Sequence, residues 1–94
     1  MRVRWTDRAL ADLRKIRAHI EPDDPAAARR MVQRLVEASW RLSDFPRMGR
    51  PGKVEGAREL VVPRTPYYLA YRVREEEVEI LRAIHGAQNW PVAE

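Results

Sequence analysis

The 94-residue chain has no cysteine, a single phenylalanine and only two lysines. The absence of cysteine excludes disulfide scaffolds, thiolate zinc sites, iron–sulfur clusters and cysteine nucleophiles. No apolar run approaches the roughly 18 residues of a membrane span. The charged segment Met1–Trp5 also lacks the apolar region that follows the charges of a signal peptide. We therefore expect a small cytoplasmic protein with one domain, residues 1–94.

Residues that support common forms of catalysis are also scarce. The only serines, Ser39 and Ser43, lack the Gly-x-Ser-x-Gly context of a nucleophile elbow. No Gly-Lys-Ser/Thr sequence of a phosphate-binding loop is present. The only histidines, His19 and His85, lie far apart in the sequence and lack metal-ligand spacing. The sequence therefore implies neither a metal nor another cofactor.

Positive charge, in contrast, is abundant. The chain has 18 Lys and Arg residues against 14 Asp and Glu, a formal charge of +4, which favours an acidic partner. The charge is polarised, because residues 45–74 contain seven cations and two anions, whereas residues 75–94 contain one cation and five anions. Nearly all the cations are arginines, whose planar guanidinium binds carboxylate or phosphate with two hydrogen bonds.

The first half of the chain predicts one strand and two helices. Residues 2–5 alternate polar and apolar, as a half-buried strand does. Thr6 provides an N-cap for an amphipathic helix over about residues 6–20. Asp24, followed by a proline, begins a second amphipathic helix that runs to about residue 44. A short turn between two helices predicts an antiparallel hairpin.

The second half predicts a loop followed by strands. Residues 46–56 hold three of the four glycines and form the loop. Three strands with short connections follow, at Arg58–Val62, Tyr67–Arg74 and Val78–His85. The predicted fold is α+β, with an N-terminal strand and a two-helix antiparallel hairpin packed on one face of a three- to four-stranded antiparallel sheet.

Alternation along the last strand predicts two mixed faces. One face would carry Val78, Ile80, Arg82 and Ile84, and the other Glu79, Leu81, Ala83 and His85. A two-helix hairpin covers only one face of a sheet. Apolar residues on both faces therefore predict that another polypeptide completes the core.

Aromatic residues and His85 each allow two interpretations. The tyrosines at positions 67, 68 and 71 either fill the sheet or offer flat rings to bases or to a partner helix. Trp5, Trp40 and Trp90 are interpreted as core or interface anchors. His85 ends a strand, where it is suited to proton transfer in RNA cleavage. We favour a structural role for it, in which its ring hydrogen-bonds the turn at the strand end.

Several segments, taken together, resemble the toxins of the RelE/ParE superfamily of bacterial type II toxin–antitoxin systems. In chain order they are Trp5-x-x-x-Ala9-x-x-Asp12-Leu13-x-x-Ile16, Asp24-Pro25-x-Ala27-Ala28, Pro46-x-x-Gly49-Arg50, Gly56-Ala57-Arg58-Glu59-Leu60, Tyr67-Tyr68-Leu69-Ala70-Tyr71-Arg72 and Ile80-Leu81-Arg82-Ala83-Ile84-His85-Gly86-Ala87-Gln88. The resemblance covers nearly the whole chain.

The superfamily has two activities, and the resemblance favours one of them. RelE-like members are ribosome-dependent mRNA endonucleases with basic catalytic residues. At the matching positions this chain has Glu59 and Val61 in place of lysines, Tyr68 in place of an arginine and Gln88 in place of a basic residue. A glutamate repels RNA phosphates. These departures favour the ParE-like branch, whose members are not enzymes but poison DNA gyrase by stabilising its cleaved complex with DNA.

The ParE-like interpretation implies two sets of contacts. We assign contact with gyrase to Arg58, Arg82, His85 and Trp90. The resemblance also implies an acidic ParD-like antitoxin that wraps the toxin in a hetero-oligomer, and we assign its contacts to Leu10, Leu13, Tyr67, Tyr68 and Tyr71. The alternative is a RelE-like mRNA endonuclease that acts on the ribosome through Arg58, Arg82 and His85. An inactive or structural relative is the third possibility.

Overall fold

A computed structural model of the chain describes residues 1–88 and 90–91. Its elements are β1 Arg2–Trp5, α1 Asp7–Ile20, α2 Pro25–Asp44, β2 Arg50–Pro51, β3 Arg58–Val61, β4 Tyr67–Arg74 and β5 Glu77–His85. The predicted order of one strand, two helices and three further strands is confirmed, with one additional short strand, β2, before the last three. No helix within the described residues is long and apolar enough to cross a membrane.

The helix boundaries follow from the capping residues. The Thr6 hydroxyl accepts a hydrogen bond from the backbone N–H of Ala9 at 3.2 Å, and the Asp24 carboxylate accepts one from Ala27 at 3.0 Å. Each cap satisfies an N–H that has no partner inside its helix. Proline 25 occupies the first turn of α2, where its missing N–H has no cost.

The sheet has five strands in the order β1-β5-β4-β3-β2. The α+β class with two helices on a sheet is confirmed, but the sheet is mixed, because β1 pairs with β5 in parallel, from Arg2 opposite Glu77 to Trp5 opposite Ile80. The extra strand, β2, lies in the predicted loop and pairs with β3 through only two residues. A strand this short has no periodicity that a sequence pattern could reveal.

The main core lies between the helical hairpin and one face of the sheet. Its larger buried members are Leu13 and Ile16 of α1, Leu35 and Leu42 of α2, and Leu69, Tyr71, Val78 and Ile80 of the sheet. Burying such a side chain contributes about 1.5–3 kcal/mol. The Trp5 indole packs at the margin of this core and donates a hydrogen bond to the Ser39 hydroxyl at 3.0 Å.

A β-bulge at Leu81 changes which residues of the last strand share a face, compared with the prediction. Tyr71 pairs with Ile80 and Ala70 pairs with Arg82, so Leu81 has no partner in the register. One extra residue reverses the alternation beyond it. As a result, Ala83 joins Val78 and Ile80 in the main core, whereas Ile84 lies in a second cluster with Tyr68 and Ala70. The prediction that Ile84 shares a face with Val78 and Ile80 was therefore wrong.

Candidate functional site

The loop after α2 is held to the sheet by the hydroxyl of Tyr71. This oxygen accepts a hydrogen bond from the Gly49 N–H at 2.9 Å and donates one to the Pro46 carbonyl at 2.8 Å. A Cβ atom on Gly49 would lie 2.7 Å from the Tyr71 ring, so only glycine fits there. Burial raises the pKa of Tyr71, which keeps its hydroxyl protonated. The Pro-x-x-Gly segment is thus explained by this contact.

Two charged residues of β3 reinforce the same loop. The Arg58 guanidinium donates to the Gly49 carbonyl at 2.8 Å. The Glu59 side chain is only 6% exposed and accepts a hydrogen bond from Arg50 at 3.2 Å. Both charged side chains of β3 are therefore engaged in internal contacts. Glu59 forms its ion pair on the face of the sheet that the helices do not cover, which we call the open face.

Arg82 is also engaged internally. Its Nε and Nη2 donate to the two oxygens of Asp12 at 2.7 and 3.2 Å. The backbone N–H of Ala83 donates to Asp12 Oδ2 at 2.9 Å. Asp12 is buried, so these three bonds fasten α1 to β5 and give Arg82 a positioning role in the fold.

His85 binds the turn that follows β5. Its Nδ1 accepts a hydrogen bond from the Ala87 N–H at 3.0 Å, as the structural interpretation requires. Its own backbone N–H donates to Gln88 Oε1 at 3.0 Å, and its ring stands edge-on to Tyr67 at 5.5 Å. The ring also lines an open cleft of about 380 Å³ with His19 of α1. The two histidines that are far apart in sequence thus border one space.

The three residues of the alternative catalytic set are not brought together. Arg82 and His85 lie on β5 and Arg58 lies on β3, with β4 between them. Strands two apart are separated by about 10 Å. The Arg58 and Arg82 guanidinium groups bind different elements, one the 46–50 loop and the other α1. The strand order therefore keeps Arg58 apart from Arg82 and His85.

Only part of the expected antitoxin-binding set keeps an accessible surface. Leu13 and Tyr71 belong to the main core, and Tyr71 is fully buried, so neither side chain is available to a partner. Tyr68 is largely buried in the second cluster, against which Trp90 packs. Leu10 is 39% exposed and Tyr67 is partly exposed. The prediction is corrected for Leu13 and Tyr71 because both complete the helix–sheet interface.

A groove on the outer side of the helical hairpin was not predicted. Its apolar lining consists of Val32, Val36 and Trp40 of α2, and it has a volume of about 340 Å³. Its polar margin consists of Arg17, Arg29, Gln33 and Glu37. The Trp40 side chain is 63% exposed. An exposed tryptophan beside aliphatic residues is typical of a protein-binding surface. The signal in the sequence was the wide apolar stripe of α2, which one sheet cannot fully cover.

Ion pairs cover the remaining part of the open sheet face. Glu79 accepts a hydrogen bond from Arg72 at 2.7 Å and also pairs with Arg4, which bonds Glu77 at 2.9 Å. The hydrogen bond from Arg72 lowers the pKa of Glu79, and Arg4 adds to this effect. The ion pairs join β1, β5 and β4 across their exposed side. Among residues 1–88 and 90–91 there is no group of three or more His, Asp or Glu side chains suited to a metal.

Comparisons with known proteins find several toxins. The family model described as "ParE toxin of type II toxin-antitoxin system, parDE" matches residues 3–90. "Putative toxin Y4kP" of Sinorhizobium fredii is 48% identical over 96% of this chain and 93% of its own length. "Toxin RelE2" of Caulobacter vibrioides is 42% identical over 89% of this chain and 93% of its own.

Two solved structures share the fold. A chain of the chromosomal ParDE toxin–antitoxin system from P. aeruginosa has a TM-score of 0.78 and 33% identity, over 90% of this chain and 95% of its own. A chain of the toxin–antitoxin complex RelBE2 from Mycobacterium tuberculosis has a TM-score of 0.64 and 33% identity, over 89% of this chain and 95% of its own.

Proposed function

Because the chain belongs to the ParE toxin family of type II toxin–antitoxin systems, we propose that it is a gyrase-poisoning toxin that an acidic ParD-like antitoxin neutralises. In this proposal the chain performs no covalent chemistry itself. It binds gyrase and stabilises the enzyme's cleaved complex with DNA, so that replication stalls. The antitoxin binds the free toxin and prevents that contact.

The ion pair between Glu59 and Arg50 is the observation that carries the proposal. The pair lies on the open face. The resemblance to RelE-like toxins implies a lysine at the position of Glu59. A buried carboxylate there repels RNA phosphates, and the arginine beside it is already paired. This arrangement supports binding without RNA cleavage.

We propose that gyrase contacts the apolar end of the open face. Trp90 packs there against Tyr68 and Ile84, and Val61 beside them is 52% exposed. His85 follows Ile84 at the end of β5, and its ring lines the cleft beside α1 on the other face of the sheet. Of the four residues assigned to the target, Trp90 and His85 remain candidates for direct contact. Arg58 and Arg82 act by positioning the 46–50 loop and α1.

We propose that the antitoxin binds the groove on α2, which is apolar at its centre and has two arginines and one glutamate at its margin. Val36 and Trp40 fit the apolar side of an amphipathic helix, and Arg29 fits an acidic residue at its edge. Arg17, which also lines the groove, already pairs with Glu21 at 2.8 Å. Leu10 and Tyr67 are further candidate contacts. The excess of positive charge on the chain favours association with an acidic partner.

A RelE-like mRNA endonuclease is the second candidate function. Two observations favour it: a relative named "Toxin RelE2" is 42% identical, and a structural neighbour comes from a RelBE2 complex. Against it stands the separation of Arg58 from Arg82 and His85 by strand β4.

A pair of assays with the purified chain tests the two candidates. With gyrase, relaxed plasmid and ATP, we expect loss of supercoiling and accumulation of cleaved DNA. With translating ribosomes, we expect intact mRNA. A Trp90→Ala variant should lose the effect on gyrase, while Phe45→Ala, at an exposed aromatic residue that ends α2, should keep it. Unchanged supercoiling together with codon-phased mRNA cleavage would establish the second candidate instead.

A further inference from the structure

The cleft between α1 and the end of β5 has an unusual balance of hydrogen-bonding groups. Three of its acceptors, on Asp12, His85 and Gln88, already bind donors inside the protein. Asp12 accepts three hydrogen bonds from Arg82 and Ala83, His85 Nδ1 accepts from Ala87, and Gln88 Oε1 accepts from the His85 N–H. Each of these three acceptors is therefore already bound to a donor of the fold.

The polar groups that remain in the cleft can all donate a hydrogen bond. Lys15, His19 and the Tyr67 hydroxyl line it and form no hydrogen bond with any residue that the structure describes. His85 adds a donor, because its Nδ1 accepts a hydrogen bond and its ring proton therefore lies on Nε2. Gln88 adds its amide nitrogen, since its oxygen is already bonded. Burial raises the pKa of Tyr67, so its hydroxyl retains its proton.

A space with one ammonium group and several further donors, whose only carboxylate is already paired with an arginine, is suited to an anion. The charge of the residues that line the cleft determines which kind of anion it can bind. Arg82 and Asp12 neutralise each other, which leaves Lys15 as the single uncompensated formal charge. Duplex DNA carries a charge about every 1.7 Å and is bound by several cations in a row. One lysine surrounded by neutral donors instead fits one carboxylate.

We propose that this cleft, bordered by Lys15, His19, Tyr67 and His85, binds a single aspartate or glutamate side chain of the antitoxin. The inference that the antitoxin occupies this cleft rests on the proposed function. The α2 groove then binds the apolar part of the same acidic partner on the other side of the hairpin. A carboxylate in the cleft would cover the exposed edge of His85 and so mask a residue that we assign to the target.

Imidazole NMR tests the cleft on the intact chain, which has only two histidines and therefore two resolved ring signals. The probes are sodium acetate and inorganic phosphate at pH 7.5 and constant ionic strength, with chloride as the baseline. We expect acetate to shift both ring signals with a shared saturation curve, and the free spectrum to show the proton of His85 on Nε2. Lys15→Met should weaken acetate binding at least fivefold. Lys53→Met, which removes the only other lysine, should leave it unchanged.

Three results would overturn the proposal. They are the absence of any saturable shift, an acetate response that survives Lys15→Met, and a response to phosphate without one to acetate. The last result would indicate that the cleft binds a phosphodiester and not a carboxylate. None of these measurements requires toxicity, so the proposed function is judged separately by growth arrest and by the gyrase assay.

Discussion

Asp12 and Arg82 form a two-pronged ion pair between residues 70 positions apart, with hydrogen bonds of 2.7 and 3.2 Å. The pair connects the middle of α1 to the strand segment just beyond the bulge at Leu81. It also neutralises the base of the cleft that His19 and His85 border. Arg82, which the sequence suggested for target binding, therefore has a structural role, and its pairing with Asp12 sets the charge of the neighbouring cleft.

Replacing Asp12 by asparagine should destabilise the fold strongly. The substitution leaves the largely buried Arg82 guanidinium without its counter-ion, and removing one partner of a buried pair typically costs about 3–5 kcal/mol. Because Arg82 retains some contact with water, we expect a loss of about 2–3 kcal/mol in the free energy of urea unfolding. Asp23→Asn, in the exposed turn between the helices, is the matched control and should change it by less than about 0.5 kcal/mol. Equal effects of the two variants would contradict the role given to the pair.

Removing the Tyr71 hydroxyl should also destabilise the protein. In Tyr71→Phe the Gly49 N–H loses its acceptor in a buried position, which costs about 1–3 kcal/mol. Tyr67→Phe serves as control, because the Tyr67 hydroxyl makes no hydrogen bond with the described residues. Unfolding in urea and the exchange rate of the Gly49 amide would both report the change. A Tyr71→Phe variant with wild-type stability and a protected Gly49 amide would be inconsistent with this contact.

The sequence predicted the parts of the fold that depend on local signals. Thr6 and Asp24 cap their helices because a cap needs only a hydroxyl or carboxylate three residues before the N–H it binds. The bulge at Leu81 could not be predicted, since it depends on how β4 and β5 pair. The open face, the separation of Arg58 from Arg82 and the cleft that joins His19 to His85 all follow from pairing and docking. The candidate site was therefore less predictable than the elements that carry it.

Acid should remove the contribution of Glu79 to stability. The hydrogen bond from Arg72 lowers the pKa of Glu79 in the folded protein, so the folded state binds fewer protons than the unfolded state as the pH falls. Its stabilising effect is complete above the unfolded pKa of about 4.3 and disappears as the pH falls through the lower folded pKa. Glu79→Gln should thus be less stable than wild type at pH 7, and the difference should narrow below about pH 4.

Chemical denaturation of both proteins at several pH values would measure this difference. Glu76→Gln, which removes an exposed carboxylate in the β4–β5 turn, should match the wild type at pH 7. A difference between Glu79→Gln and wild type that stays constant from pH 7 to pH 3 would show that the ion pairs on the open face do not stabilise the fold.

Trp40 provides the sharpest test of the groove on α2. Its side chain is largely exposed in the free chain, so Trp40→Ala removes little buried surface and should leave the free energy of unfolding within about 0.5 kcal/mol of wild type. Interface tryptophans commonly contribute at least about 2 kcal/mol to binding, so the affinity for the antitoxin should fall roughly 30-fold.

Cells that co-express the variant toxin with its antitoxin should arrest, while cells with the wild-type pair grow. Phe45→Ala, which removes an equally exposed aromatic residue outside the groove, should remain neutralised. Full neutralisation of Trp40→Ala would place the antitoxin on another surface, because a groove whose central aromatic can be deleted at no cost does not hold the partner.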